Sequence, residues 1–156
     1  GSDSLILTKR TSRVEHHKGE ISFAGGAVDP EDDDMTATAL RETHEEIGIP
    51  PSDVDVLGML GQVATRTGYL ISPVVGNLRG DSAFLANPYE VDTILEIPVS
   101  HLLDPQYSQH EENRSQEELV SYNAYWYGTD LIWGATARIL TEFLRLAGHC
   151  FINNKV

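Results

Sequence analysis

Leu5 to Lys9 is a short run dominated by apolar side chains that reads as a strand, and Glu20 to Phe23 reads as a shorter extended piece. The period then changes. Thr36, Leu40, Thr43 and Ile47 recur at the three- and four-residue spacing of one helix face. That spacing predicts a helix ending at Ile47, with Asp34 or Thr36 as its N-cap and acidic residues near its positive end. Gly48 stands where a helix end favours glycine, and Pro50-Pro51 forbids continuation. Val54 to Thr65 and Tyr69 to Leu78 are rich in β-branched and apolar residues, predicting two strands joined by a turn around Thr67-Gly68. Glu90 to Val99 predicts another strand, followed by a turn from Ser100 to Pro105. Gln109 to Glu118 is polar and charged and reads as a loop, and Leu119 to Tyr127 reads as a strand. From Ile132 an apolar stripe through Ile139, Leu140, Phe143, Leu144 and Ala147, with Thr136, predicts a closing helix. The sum is an α/β architecture, a mixed sheet with helices on its two faces. With no internal repeat and no linker, one domain over residues 1–156 is expected.

The predicted first helix carries the chain's main chemical signal. Residues 41 to 49 read Arg-Glu-Thr-His-Glu-Glu-Ile-Gly-Ile, setting Glu42, Glu45 and Glu46 at i, i+3 and i+4. All three carboxylates then point the same way, on the side away from Leu40 and Ile47. Like charges at this spacing repel by roughly a few tenths of a kcal/mol per pair. A hard divalent cation such as Mg²⁺ or Mn²⁺ would convert that repulsion into binding. Glu42 and Glu46 are the strongest ligand pair, because i and i+4 stack on one face. His44 falls toward the apolar side, where a partly buried, hydrogen-bonded histidine is expected. An E-x-x-E-E face alone is usually plain solvated surface, so the flanking sequence matters. Upstream lie Gly25-Gly26 and the acidic turn Asp29-Pro30-Glu31-Asp32-Asp33-Asp34, which lacks the D-x-D-x-D-G order of a calcium loop.

Charge narrows the function further. A net charge of −13 argues against nonspecific nucleic-acid binding. No apolar run approaches the roughly 20 residues that span a bilayer. A single cysteine, Cys150, rules out an intrachain disulfide and suits a reducing compartment. Without a signal-like opening, a cytoplasmic location is expected. Within this acidic chain, Lys9, Arg10, Arg13 and Lys18, with His16 and His17, form a basic segment leading into Gly25-Gly26. It reads as a phosphate-recognition loop or as an ordinary solvated one.

The stretch from Gly25 to Ile49 resembles the Nudix box, G-x5-E-x7-R-E-U-x-E-E-x-G-U with U aliphatic. Arg41, Glu42, Glu45, Glu46, Gly48 and Ile49 are in register. Counting back from Arg41 places the box glycine on Ala27 and the box glutamate on Asp33, and Thr43 replaces an aliphatic residue. The chain also resembles the coenzyme A pyrophosphatase subgroup. That likeness rests on Ile6-Leu7-Thr8-Lys9-Arg10 and on Gly19-Glu20-Ile21-Ser22-Phe23-Ala24-Gly25-Gly26. It extends through Gly25-Gly26-Ala27-Val28-Asp29-Pro30-Glu31-Asp32, Asn87-Pro88-Tyr89-Glu90-Val91, and Ile132 to Leu140. Ala24 stands where the subgroup has proline. Against that family, an apolar strand ahead of Leu5 is expected and absent from the sequence.

The resemblance implies an αβα sandwich and metal-dependent hydrolysis of a small-molecule diphosphate. Glu42, Glu45 and Glu46 would hold Mg²⁺ or Mn²⁺, and Gly25 and Gly26 would let backbone amides approach phosphate oxygens. Arg41 is expected to orient Glu45 or to pair with Asp32 or Asp33. Glu45, Glu46 and Glu90 all remain open as general base. The subgroup implies coenzyme A or acyl-CoA as substrate, with Arg10, Arg13 and Lys18 available for its 3′-phosphate. NADH, an ADP-sugar or a nucleoside triphosphate is the nearest rival substrate, and a noncatalytic ligand-binding domain is the rival class. The sequence leaves the oligomeric state open.

Overall fold

The computed structural model describes residues 3–12, 19–80, 82–114 and 119–152. It has the mixed helix and strand content expected of an α/β chain. The chain divides into two compact units, one spanning residues 6–95 and the other residues 1–5 with 96–156.

β1 (Ser4–Arg10), in the first unit from Ile6 onward, pairs antiparallel with β2 (Ile21–Ser22), matching Thr8 with Ser22 and Lys9 with Ile21. β7 (Val91–Pro98), in that unit as far as Leu95, lies on the other side of β1. Helix α1 runs Met35–Ile47. It begins where the Asp34 side chain accepts from the Ala37 amide at 2.8 Å, and stops where Gly48 turns left-handed at φ 77°. Pro51–Asp53 then makes one 3₁₀ turn.

Each of the next two predicted strands is broken in two: β3 (Val54–Met59) with β4 (Val63–Ala64), and β5 (Leu70–Ile71) with β6 (Val74–Leu78). The register of β3 against β6 shifts between Val56 and Gly58, a bulge at which Gly58 has φ 153°. The turn around Thr67-Gly68 is present, closed by the Thr65 amide donating to Tyr69 O at 2.8 Å. Leu7, Ile21, Ile47, Ile49, Val63 and Val91 are buried in this unit.

In the second unit, Val99–Leu102 forms a short helix, α2, and Pro105–Tyr107 a 3₁₀ turn, where a simple turn was expected. Strand β8 (Ser108–Arg114) occupies most of the predicted loop, pairing antiparallel with β9 (Leu119–Tyr127). Its charged sequence hid it, and charge suits an edge strand because it discourages pairing with other chains. Ile132 ends strand β10 (Asp130–Ile132), so the closing helix α3 begins later, at Gly134, and runs to Ile152. Thr141 joins α3 to β9: its hydroxyl accepts from the Asn123 amide at 3.1 Å and lies 3.0 Å from the Tyr125 hydroxyl.

Gly48 sets the end of α1 and the return of the chain beyond it. The Leu85 amide donates to Ile47 O at 2.9 Å, and a Cβ at Gly48 would sit 2.8 Å from Leu85 Cβ. Gly48→Ala therefore meets both left-handed strain and a clash, and is expected to cost about 2 kcal/mol or more. Thermal unfolding should show a drop of about 4–8 °C in Tm. An unchanged Tm would mean the turn relaxes without cost.

Candidate active site

Helix α1 does not present its glutamates to open solvent. Thr38, Glu46 and Ile47 are its buried residues, and Glu46 is only 2% exposed, whereas His44 is exposed. This corrects the expectation of a glutamate face opposite the packed face and of a partly buried His44. The reason is tertiary. The Gly25–Ala27 loop, Arg10 at the end of β1, and the Asn87–Glu90 turn all close over the glutamate side.

Three contacts define that closure. Arg10 Nη1 lies 4.0 Å from Glu46 Oε1, and the Gly25 amide donates to the Glu46 carboxyl group. The Asn87 amide donates to Glu46 O at 2.9 Å. The Glu42 carboxyl group fills the space that a Cβ on Gly26 would take. Glycine at 26 is thus required by close approach, not by backbone angle.

Arg41 is the hub of the outer side. Its Nε and Nη2 donate to the two carboxyl oxygens of Asp32 at 3.0 and 2.9 Å, and Nη2 also donates to Ala27 O at 3.0 Å. Nη1 reaches Glu42 at 2.9 Å and Glu45 at 3.4 Å. A planar guanidinium can hold this many acceptors at once; an ammonium group cannot. The Arg41 hydrogen bonds hold Asp32 well below the usual carboxylate range, and those acceptors in turn raise the Arg41 pKa. Thr38 donates to Asp32 at 2.8 Å, so the acidic turn is fastened to α1 on two sides.

Glu46 is the electrostatic centre. Burial pushes its pKa up to about 7, against the opposing pull of Arg10 and with further upward pushes from Glu90 and Glu42. Glu90 is therefore near enough to matter to Glu46. Asn87 holds Glu90, its side-chain amide donating to Glu90 Oε1 at 3.3 Å. The Glu90 amide and carbonyl are fixed by Asn87 O at 3.1 Å and the Thr11 amide at 2.9 Å. Asn87 and Thr38 carry no chemical signal of a site in the sequence, although the Asn-Pro dipeptide is a visible turn signal.

The structure thus brings Arg10, Gly25, Gly26, Arg41, Glu42, Glu45, Glu46 and Glu90 into one neighbourhood. Arg13 and Lys18 lie outside the described residues. Hard carboxylate donors drawn together against their own repulsion suit a divalent cation. Among the described residues, no group of three or more Asp, Glu, His or Cys side chains converges as a ready-made ligand set. Glu42 and Glu45 are shared with Arg41, and Glu46 is faced by Arg10, so the chain's own cations stand beside these carboxylates. The donor chemistry fits a divalent cation.

The NUDIX domain model matches residues 1–135. The chain is 40% identical over 141 residues to a protein named Uncharacterized Nudix hydrolase NudL from Photorhabdus laumondii, covering 89% of this chain and 74% of that one. It is 37% identical over 139 residues to the protein of the same name from Yersinia pestis, covering 88% and 69%. The Mycobacterium smegmatis Nudix hydrolase RenU superposes with a TM-score of 0.54 at 20% identity, over 65% of this chain and 64% of that one. A Caenorhabditis elegans Ap4A hydrolase superposes at 0.53 and 15% identity, over 62% and 70%. The chain belongs to the Nudix family and has its α/β fold. It is a pyrophosphohydrolase of the class that acts on nucleoside diphosphate derivatives, a class that generally needs divalent cations. Among the described residues no helix is long and apolar enough to cross a membrane.

Proposed function

We propose that this hydrolase cleaves the diphosphate of coenzyme A or an acyl-CoA, releasing 3′,5′-ADP and 4′-phosphopantetheine or its acylated form. The carrying observation is the Gly25–Asp32 loop, whose G-G-x-x-D-P-x-D form is the subgroup signature. The contacts that hold it are specific: Asp32 accepts the Asp29 amide at 2.9 Å, Asp29 accepts the Glu31 amide at 3.0 Å, and Asp32 takes the Arg41 fork. Each acidic residue of the signature therefore has a part in presenting Gly25 and Gly26 to α1.

Under this reading, Glu42 and Glu46 would hold Mg²⁺ or Mn²⁺, with Glu45 as a third ligand. A cation bound there would supply charge neutralisation for diphosphate oxygens and a water of lowered pKa. Gly25 and Gly26 leave room for phosphate oxygens against the backbone. Arg41 is a positioning residue, fixing Glu42 and Glu45 against Asp32. Glu90, held by Asn87 beside Glu46, accepts the proton of the attacking water on its carboxylate. All of these act within one catalytic domain.

The basic segment serves the 3′-phosphate through Arg13 and Lys18, because Arg10 is engaged near Glu46. Replacing both Arg13 and Lys18 with alanine is expected to raise KM for coenzyme A about tenfold or more, the scale of one lost charged hydrogen bond. KM for 3′-dephospho-coenzyme A should change little; equal changes for both would remove the 3′-phosphate role. The substrate assignment itself is tested by chromatography of products formed with Mg²⁺ or Mn²⁺ from coenzyme A, NADH, ADP-ribose and dATP. Release of 3′,5′-ADP as the preferred reaction is the expected result. Intact coenzyme A beside a cleaved alternative would reassign the substrate within the family.

A further inference from the structure

A groove of about 310 Å³ opens beside the Asn87–Glu90 turn, and among the described residues none of the carboxylates and arginines of the candidate site lines it. Its described lining residues are Thr11, Ser12, Pro88, Val91 and Asp92. Thr11 and Val91 are buried, while Ser12, Pro88 and Asp92 are exposed. The volume lies at the lower end of the roughly 300–1,000 Å³ typical of small-molecule sites.

The groove is tied to the carboxylate site by the backbone. Thr11 follows Arg10, and Val91 and Asp92 follow Glu90. Thr11 also donates through its amide to Glu90 O at 2.9 Å and through its hydroxyl to Tyr89 O at 2.8 Å. Residues that line the groove are thus direct neighbours, in sequence and by backbone hydrogen bonds, of Arg10 and Glu90 at the carboxylate site.

Chemistry decides what the groove can hold. Asp92 is the one charged side chain among the described lining residues, and the Thr93 hydroxyl steadies its Oδ2 at 3.0 Å. A phosphate would meet like charge there. An uncharged chain bearing O–H and N–H donors meets an acceptor instead, with Pro88 and Val91 offering apolar contact. We propose that this groove holds the neutral, hydrogen-bond-donating arm of the substrate, with Asp92 accepting from its hydroxyl or amide groups. Naming that arm as pantetheine rests on the coenzyme A reading; the groove's preference for a neutral donor chain does not.

Two measurements separate these layers. First, free pantetheine is titrated into the metal-free full chain and followed by amide chemical shifts. The largest shifts are expected at Ser12, Val91 and Asp92, and Asp92→Ala should weaken binding about tenfold. Shifts centred elsewhere, or no binding, would overturn the proposal. Second, coenzyme A is compared with the methyl ester of 3′-phospho-ADP, which keeps the nucleotide and the diphosphate but lacks the arm. Asp92→Ala should raise KM for coenzyme A about tenfold with kcat within about twofold, and leave KM for the methyl ester unchanged. Equal changes for both esters would also overturn it. If wild-type protein cuts neither compound, the coenzyme A reading fails, and the pantetheine titration alone decides the groove.

Discussion

Glu46→Gln is expected to lower kcat by about a thousandfold or more while stabilising the metal-free protein above pH 7. On the proposed assignment of Glu46 as a metal ligand, the activity loss follows because a cation held there would supply several kcal/mol of transition-state stabilisation; about 4 kcal/mol corresponds to roughly a thousandfold. The stability gain follows from burial. Glu46 titrates near 4.5 when unfolded and about 7 in the folded, metal-free chain. Below pH 4.5 it is protonated in both states and contributes no pH dependence. Between about 4.5 and 7 the folded state keeps a proton that the unfolded state has lost, so stability falls as pH rises. Above 7 the full cost of a charged, buried carboxylate is present, on the order of 3 kcal/mol from the shift alone.

The glutamine variant lacks that cost, and the opposing pull of Arg10 is already contained in the shift. The net gain at pH 8 should therefore be about 1–3 kcal/mol. Urea unfolding of metal-free wild type and variant at pH 5 and pH 8 checks it. The two should converge at pH 5 and separate at pH 8; parallel behaviour at both would show that Glu46 does not titrate as described.

Gly26→Ala should cost about a hundredfold in kcat with little loss of fold stability. The added methyl group enters the space of the Glu42 carboxyl group, which is the movable end of a side chain and not backbone. Glu42 must swing away, and a displacement of about 1 Å in a group that positions the reaction is enough for a hundredfold effect. Neither Gly26 nor its loop carries a positive φ that alanine would strain. Steady-state kinetics with a thermal melt decides the matter: kcat near wild type would show that the loop can yield instead of Glu42.

These two positions show what the sequence made legible. The start and stop of α1 were readable because caps are local: Asp34 and Gly48 act within one turn of themselves. The glutamate spacing and the Arg41–Asp32 pairing were readable for similar reasons. The burial of Glu46 was not, because it depends on Arg10, Gly25 and Asn87, which lie 21 to 41 positions away. A helical wheel gives the direction of a side chain but not what covers it.

Strand β8 was hidden because Ser108–Arg114 has no apolar alternation. It is a strand by virtue of its pairing with β9, from Ser108 opposite Tyr125 to Arg114 opposite Leu119. The breaks between β3 and β4 and between β5 and β6 fell inside largely β-prone runs, with Gly58 and Gly61 as the hints of the first and Pro73 as the hint of the second. For the same reason the groove beside Asp92 had no sequence signature. Its described lining comes from Thr11 and Ser12 at one end of the unit's sequence and Pro88, Val91 and Asp92 at the other.

On the proposed reading, the α1 carboxylates hold the cation on which hydrolysis depends. Mn²⁺ titration followed by loss of the free-ion electron paramagnetic resonance signal tests it most directly, comparing wild type with Glu42→Gln and Glu46→Gln. Binding weakened at least about tenfold in each variant, with folding intact, is the predicted result. Equal Mn²⁺ affinity in all three proteins would contradict the account and move the metal site elsewhere.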